Sequence, residues 1–122
     1  TTAPFRTLGQ NYGSSHPDHI AAGEAALSSV YPTARDRLTF PELLDEGFEP
    51  HKVREVWVMS REDADHFNDI SEEDMETALK ALAAHTSQVP PEAIERVRAW
   101  KSENGKAHNM TYAESFRTFT LR

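Results

Sequence analysis

Residues 53–60 read VREVWVMS, and four apolar side chains run consecutively from Val56 to Met59. β-Branched and aromatic residues dominate the stretch. An unbroken apolar run, rather than an alternating one, is the pattern of a strand buried on both faces, as in a parallel sheet covered by helices. The stretch therefore predicts a strand over 53–60 inside an α/β architecture. At 122 residues the chain suits one small domain.

Upstream of that strand, residues 33–52 read as irregular, with Gly47 and Pro50 as punctuation and a short helical turn at Pro41-Glu42-Leu43-Leu44. Residues 16–31 read as a helix. Ser15 is placed to cap it, Pro17 suits its first turn, and Asp18 complements the positive end of the helix dipole. Its rough apolar stripe of Ile20, Gly23/Glu24, Leu27 and Val30/Tyr31 is padded by alanines, which suits close packing on a sheet, and Pro32 ends it. Residues 1–15 carry Gly9, Gly13, Ser14 and Ser15 and read as a loop.

Downstream, Asp69-Ile70-Ser71 opens a second helix. Ser71 and Asp74 resemble a capping box with Asp in place of Glu, and Met75, Ala78, Leu79 and Leu82 recur at helical spacing. Pro90-Pro91 starts a third helix, with Ile94, Val97 and Trp100 on its buried side and Asn104-Gly105 as its stop. The tail from Met110, with Tyr112, Phe116 and Phe119, is compatible with a short helix or a docked strand.

Composition excludes several classes of function. The net charge is −7, which argues against nucleic acid or an anionic membrane surface as the main partner. There is no cysteine, hence no disulfide, thiolate ligand or cysteine nucleophile. No apolar run approaches the roughly 18 residues of a membrane span, and no signal peptide is visible, so a cytoplasmic location is the expectation. Leu, Ile, Val and Phe make up only about a fifth of the chain, close to the level at which a charged chain fails to bury its own core. The expectation is that apolar faces are buried against another segment, with self-association a second outcome of the same surplus. The chain begins Thr1-Thr2 without methionine, which predicts processing or truncation.

One constellation carries chemistry: His16-Pro17-Asp18-His19. The two histidines are three apart at a helix start, so both imidazoles reach one side of the first turn. Neutral imidazole and carboxylate are zinc donors. The competing reading is a capped, solvated helix start, because six histidines make an H-x-x-H spacing unremarkable. Two histidines and one carboxylate also fall short of the three protein ligands plus water of a catalytic zinc site. His51, His66, His85 and His108 show no further ligand spacing. His51 reads as structural, and His85 as a helix-end partner for free carbonyls. Trp57 and Trp100 read as core or interface aromatics, and Ser71-Glu72-Glu73-Asp74 as a helix start with a solvated face. An N-terminal threonine can be a nucleophile activated by its own amine, and nothing beyond Thr1 itself supports that chemistry in this sequence.

The wording SSHPDHIAAGEAAL (14–27), VYPTARDRLTFPELLDEGFEPHKVREVWV (30–58), DADHFNDI (63–70), ALKALAAHTSQV (78–89) and AESFR (113–117) resembles the LmbE-like, or PIG-L, family of zinc-dependent N-deacetylases, especially its bacterial branch. The resemblance implies an α/β Rossmann-like fold, with helices packed on a mostly parallel sheet and the metal at the carboxyl ends of its strands. It implies His19 as a zinc ligand and His16 as the group that stabilises the oxyanion. It implies a role at the reacting centre for Tyr12, four positions before His16, and a substrate contact for Arg6 in Pro4-Phe5-Arg6. Asp18 has two readings, a catalytic base or a helix-start acid. The family's first motif, AHPDDE, supplies the remaining ligands and the general base, and it does not occur in these residues. The resemblance thus implies that residues 1–122 correspond to the C-terminal segment of one deacetylase domain, with the N-terminal half as partner. The activity implied is hydrolysis of an N-acetyl amide on an amino-sugar-like small molecule such as a GlcNAc derivative, with Zn2+ or another divalent metal. The alternative is a non-catalytic truncated domain serving as an interaction or structural module.

Overall fold

The computed structural model describes residues 1–6, 16–60 and 62–122. The elements in chain order are α1 (Pro17–Val30), a 3-10 turn (Thr33–Arg35), α2 (Glu42–Asp45), β1 (Glu55–Met59), β2 (His66–Ile70), α3 (Glu72–Ala83), α4 (Pro91–Lys106) and β3 (Tyr112–Thr120). They form two units, one of Thr1–Ser60 with Arg117–Arg122, the other of Arg61–Phe116.

In the first unit, Pro17 opens α1, where its missing N–H costs nothing. The cap is His16 rather than Ser15, which lies outside the described residues. The His16 side chain accepts the Asp18 N–H. The helix stops at Val30, and extended Tyr31 still donates its N–H to the Leu27 carbonyl at 3.0 Å ahead of cis Pro32. The helical turn expected at 41–44 forms as α2. β1 occupies the heart of the predicted strand, but it is not buried on both faces. Val56 and Val58 are buried, Trp57 is half-buried, and Glu55 and Met59 are exposed. Trp57 is amphipathic, and its indole Nε1 donates to Glu55 Oε2 at 3.1 Å. Four apolar letters in a row therefore conceal a one-sided alternation.

The expected mostly parallel sheet is corrected as well. The sheet has three strands in the order β1-β3-β2. β2 and β3 pair antiparallel, from His66 opposite Phe116 to Ile70 opposite Tyr112. The tail is thus a strand, and β2 occupies HFNDI, where the sequence pattern places only the approach to a helix. Its Asn and Asp are poor strand formers, so pairing with β3 decides its conformation.

The second unit has a closed core. Met75, Leu79 and Tyr112 are buried, with Ile70, Ile94 and Val97 packed against them. Each such side chain contributes about 1.5–3 kcal/mol on full burial. Ser71 caps α3 as expected. Its hydroxyl accepts the Asp74 N–H at 3.1 Å and donates to the Asp74 carboxylate at 2.7 Å. Arg98 on α4 donates to Glu72 at 3.2 Å, to the Tyr112 hydroxyl at 3.2 Å and to Glu76. The bonds to Glu76 and Tyr112 raise the guanidinium pKa above its ordinary value. Lys101 reaches Glu114 at 2.7 Å. α4 runs through Asn104-Gly105 to Lys106 instead of stopping there. Gly105 serves close approach, since a Cβ at that position would sit 2.5 Å from the Met110 carbonyl oxygen.

Candidate active site

The site is built on the first turn of α1. His16 precedes the helix and His19 lies in its first turn; both side chains are exposed. Their ring centroids are 5.8 Å apart and the planes are inclined at 56°. The Asp18 N–H donates to His16 Nδ1 at 3.1 Å. That bond assigns the proton of a neutral His16 ring to Nε2, which makes Nε2–H a hydrogen-bond donor. A donor of that kind suits an oxygen on which charge develops. The Asp18 carboxylate stands 3.8 Å from the same Nδ1 and is itself exposed. Asp18 therefore orients His16 through its main chain, while its side chain faces solvent at the positive end of the helix.

Among the described residues, no group of three or more His, Asp or Glu is arranged to hold a metal ion. The two imidazoles are donors of the kind zinc takes, and one nitrogen of His16 is already engaged by the helix cap. The donor set fits part of a metal centre and does not close one. Arg6 is exposed. Tyr12 lies outside the described residues.

Residues 1–4 make contacts that no pattern in their own sequence announces. Thr1 N donates to the Trp57 carbonyl at 2.8 Å, and the Met59 N–H donates to the Thr1 carbonyl at 2.9 Å. The pair of bonds sets Thr1 against Val58 in the pattern of a parallel ladder. Thr2 Oγ1 donates to the His19 carbonyl at 2.6 Å. One turn further along α1, Gly23 is buried beneath residues 2–4. A Cβ there would stand 2.6 Å from the Thr2 carbonyl oxygen and 3.0 Å from Ala3 C and Pro4 N. The small residues of α1 thus admit a strip of chain. The available signal was a lone glycine in an alanine-rich helix, which costs about 1 kcal/mol relative to alanine and so marks a close approach. Thr2 has no comparable signature.

The other singled-out histidines have their own settings. In the first unit, His51 donates its main-chain N–H to the Ala34 carbonyl at 2.7 Å. In the second unit, His66 Nε2 lies 2.8 Å from Asn68 Oδ1, and His108 stacks on Phe67 with centroids 3.7 Å apart. His85 donates its N–H to the Leu82 carbonyl at 3.1 Å just past α3, so its main chain makes that helix-end contact.

No family model and no curated protein matches the chain. Its structure is similar to that of N,N'-diacetylchitobiose deacetylase from Pyrococcus horikoshii, solved with an inhibitor, with a TM-score of 0.72 and 25% sequence identity. The similarity covers 98% of this chain and 45% of that one, so the chain spans less than half the length of the solved protein. The chain therefore has a mixed α/β fold shared with part of a deacetylase. Among the described residues, no helix is long and apolar enough to cross a membrane.

Proposed function

We propose that these residues form the C-terminal segment of a metal-dependent N-deacetylase acting on an N-acetylated amino sugar. The observation that carries the reading is the likeness to a diacetylchitobiose deacetylase over nearly the whole chain. The exposed His16–His19 pair at the start of α1 adds the chemistry. In this reading His19 is one ligand of a zinc or similar divalent ion, and the other ligands and the general base come from an N-terminal half that bears the AHPDDE motif. When bound, the ion polarises the acetamide carbonyl and makes water more acidic.

The reaction adds water to the carbonyl carbon and breaks the C–N bond, releasing acetate and the free amine. His16 Nε2–H donates to the carbonyl oxygen as that oxygen becomes anionic. Arg6, which is exposed, contacts polar groups of the sugar, and Tyr12 and the Asp18 carboxylate are further candidates at the reacting centre. The test is acetate release from N,N'-diacetylchitobiose by the chain mixed with an AHPDDE-bearing polypeptide and Zn2+. Hydrolysis by the mixture alone supports the reading. Hydrolysis by the isolated chain, or by neither, contradicts it.

A second reading, a non-catalytic interaction module, draws on the exposed apolar side chains of the first unit, among them Tyr31, Leu38 and Phe48. In the deacetylase reading the same side chains are covered by the N-terminal half or by a second copy. Stable association with that half, without hydrolysis under any condition, favours the module.

A further inference from the structure

We infer that Thr2 is a positioning residue for the His16–His19 pair, tying the histidine-bearing turn of α1 to strand β1. The inference rests on the proposed role of that pair, and three sets of contacts carry it. Thr1 is held to β1 at both its nitrogen and its carbonyl, through Trp57 and Met59. The next residue, Thr2, donates its hydroxyl to the His19 carbonyl at 2.6 Å. The Thr2 carbonyl then passes over Gly23, where any side chain would collide with it. Two successive residues thus run from a strand with a buried Val58 to the main chain of a proposed metal ligand.

The chemistry of the contact is specific. A main-chain carbonyl has two lone pairs, so His19 O accepts the hydroxyl in addition to its helical partner. Because the hydroxyl grips the backbone of His19 and leaves the ring alone, it fixes where the imidazole starts without occupying either ring nitrogen. The His16 ring is held separately, by the Asp18 N–H on its Nδ1. The pair is thereby set by two main-chain anchors within one helical turn, which is how a site is kept in place before any ligand arrives.

The experiment uses the 122-residue chain with Thr2→Val, which keeps the shape and removes the hydroxyl, and Thr2→Ser, which keeps the hydroxyl. Imidazole signals of His16 and His19 are read by long-range proton–nitrogen NMR, alongside the thermal midpoint. The expected result is that Thr2→Val shifts and broadens the ring signals of His16 and His19, leaves those of His66 and His108 in place, and that Thr2→Ser restores the original spectrum. Unmoved His16 and His19 signals in Thr2→Val overturn the inference, even with a lowered midpoint. So does a Thr2→Ser spectrum that matches Thr2→Val. Should Thr2→Val not fold, Thr2→Ala is read by the same criteria. Neither metal nor substrate enters the measurement, so its failure is distinct from a failure of the deacetylase reading.

Discussion

In the second unit the large apolar side chains face each other. Met75 is 1% exposed, and Leu79 and Tyr112 close around it. In the first unit Leu38 is 86% exposed, and Phe5, Tyr31, Phe40 and Phe48 also face solvent. Among the described residues, every large apolar side chain that stands exposed belongs to the first unit, which also carries the His16–His19 pair. The difference is one of closure: the second unit packs its large apolar side chains on one another, and the first leaves Leu38, Phe48 and others in solvent. The His16–His19 pair belongs to the unit with the exposed side chains, and in the proposed reading both are completed by further protein.

Four substitutions or conditions sharpen that contrast. The largest effect is expected for Met75→Ala, which empties the closed core and costs about 2–5 kcal/mol in chemical denaturation. A much smaller loss would mean that the second unit's core is less closed than its burial indicates. Next comes Gly23→Val, whose side chain collides with the Thr2 carbonyl and costs about 1–3 kcal/mol through overpacking. Hydrogen exchange should then rise in α1 and at Met59 while α3 and α4 stay protected. Leu38→Ala should lie within about 0.5 kcal/mol of the parent in the isolated chain. The same change should weaken association with an N-terminal half, a difference that calorimetry can read.

The smallest effect concerns Asp36. Its carboxylate accepts the Leu38 N–H and the Thr39 hydroxyl, each at 2.9 Å, and the first of these does most to hold its pKa below the usual carboxylate range. The folded pKa is therefore depressed relative to the unfolded one. Its small stabilisation is present at neutral pH and is lost as pH falls through the folded value. Asp36→Asn should lower the thermal midpoint slightly at neutral pH, and the gap from the parent should close in acid.

Much of the helical framework is legible in the residues. Pro17 and Pro91 open helices, Ser71 and Asp74 cap one, and Met75 and Leu79 fall on its buried side, because these are local rules of backbone chemistry and periodicity. The strands are less legible because their burial depends on partners distant in sequence. Trp57 and Met59 read as buried and turn outward, and HFNDI becomes a strand only by pairing with Tyr112–Phe116. Gly105 reads as a stop signal and instead makes room for Met110. Of the site, H-x-x-H is visible at once. Its anchoring is not, because Thr2 reaches His19 across 17 residues of chain.

In the proposed reading His19 supplies one ligand to a metal centre completed by protein outside these residues. Its most direct test is a zinc titration of the chain with an AHPDDE-bearing N-terminal half, using the parent and His19→Ala. The expected result is one tightly held ion per assembled pair in the parent, and a loss of affinity of at least tenfold in His19→Ala. Equal affinity in the two would contradict it.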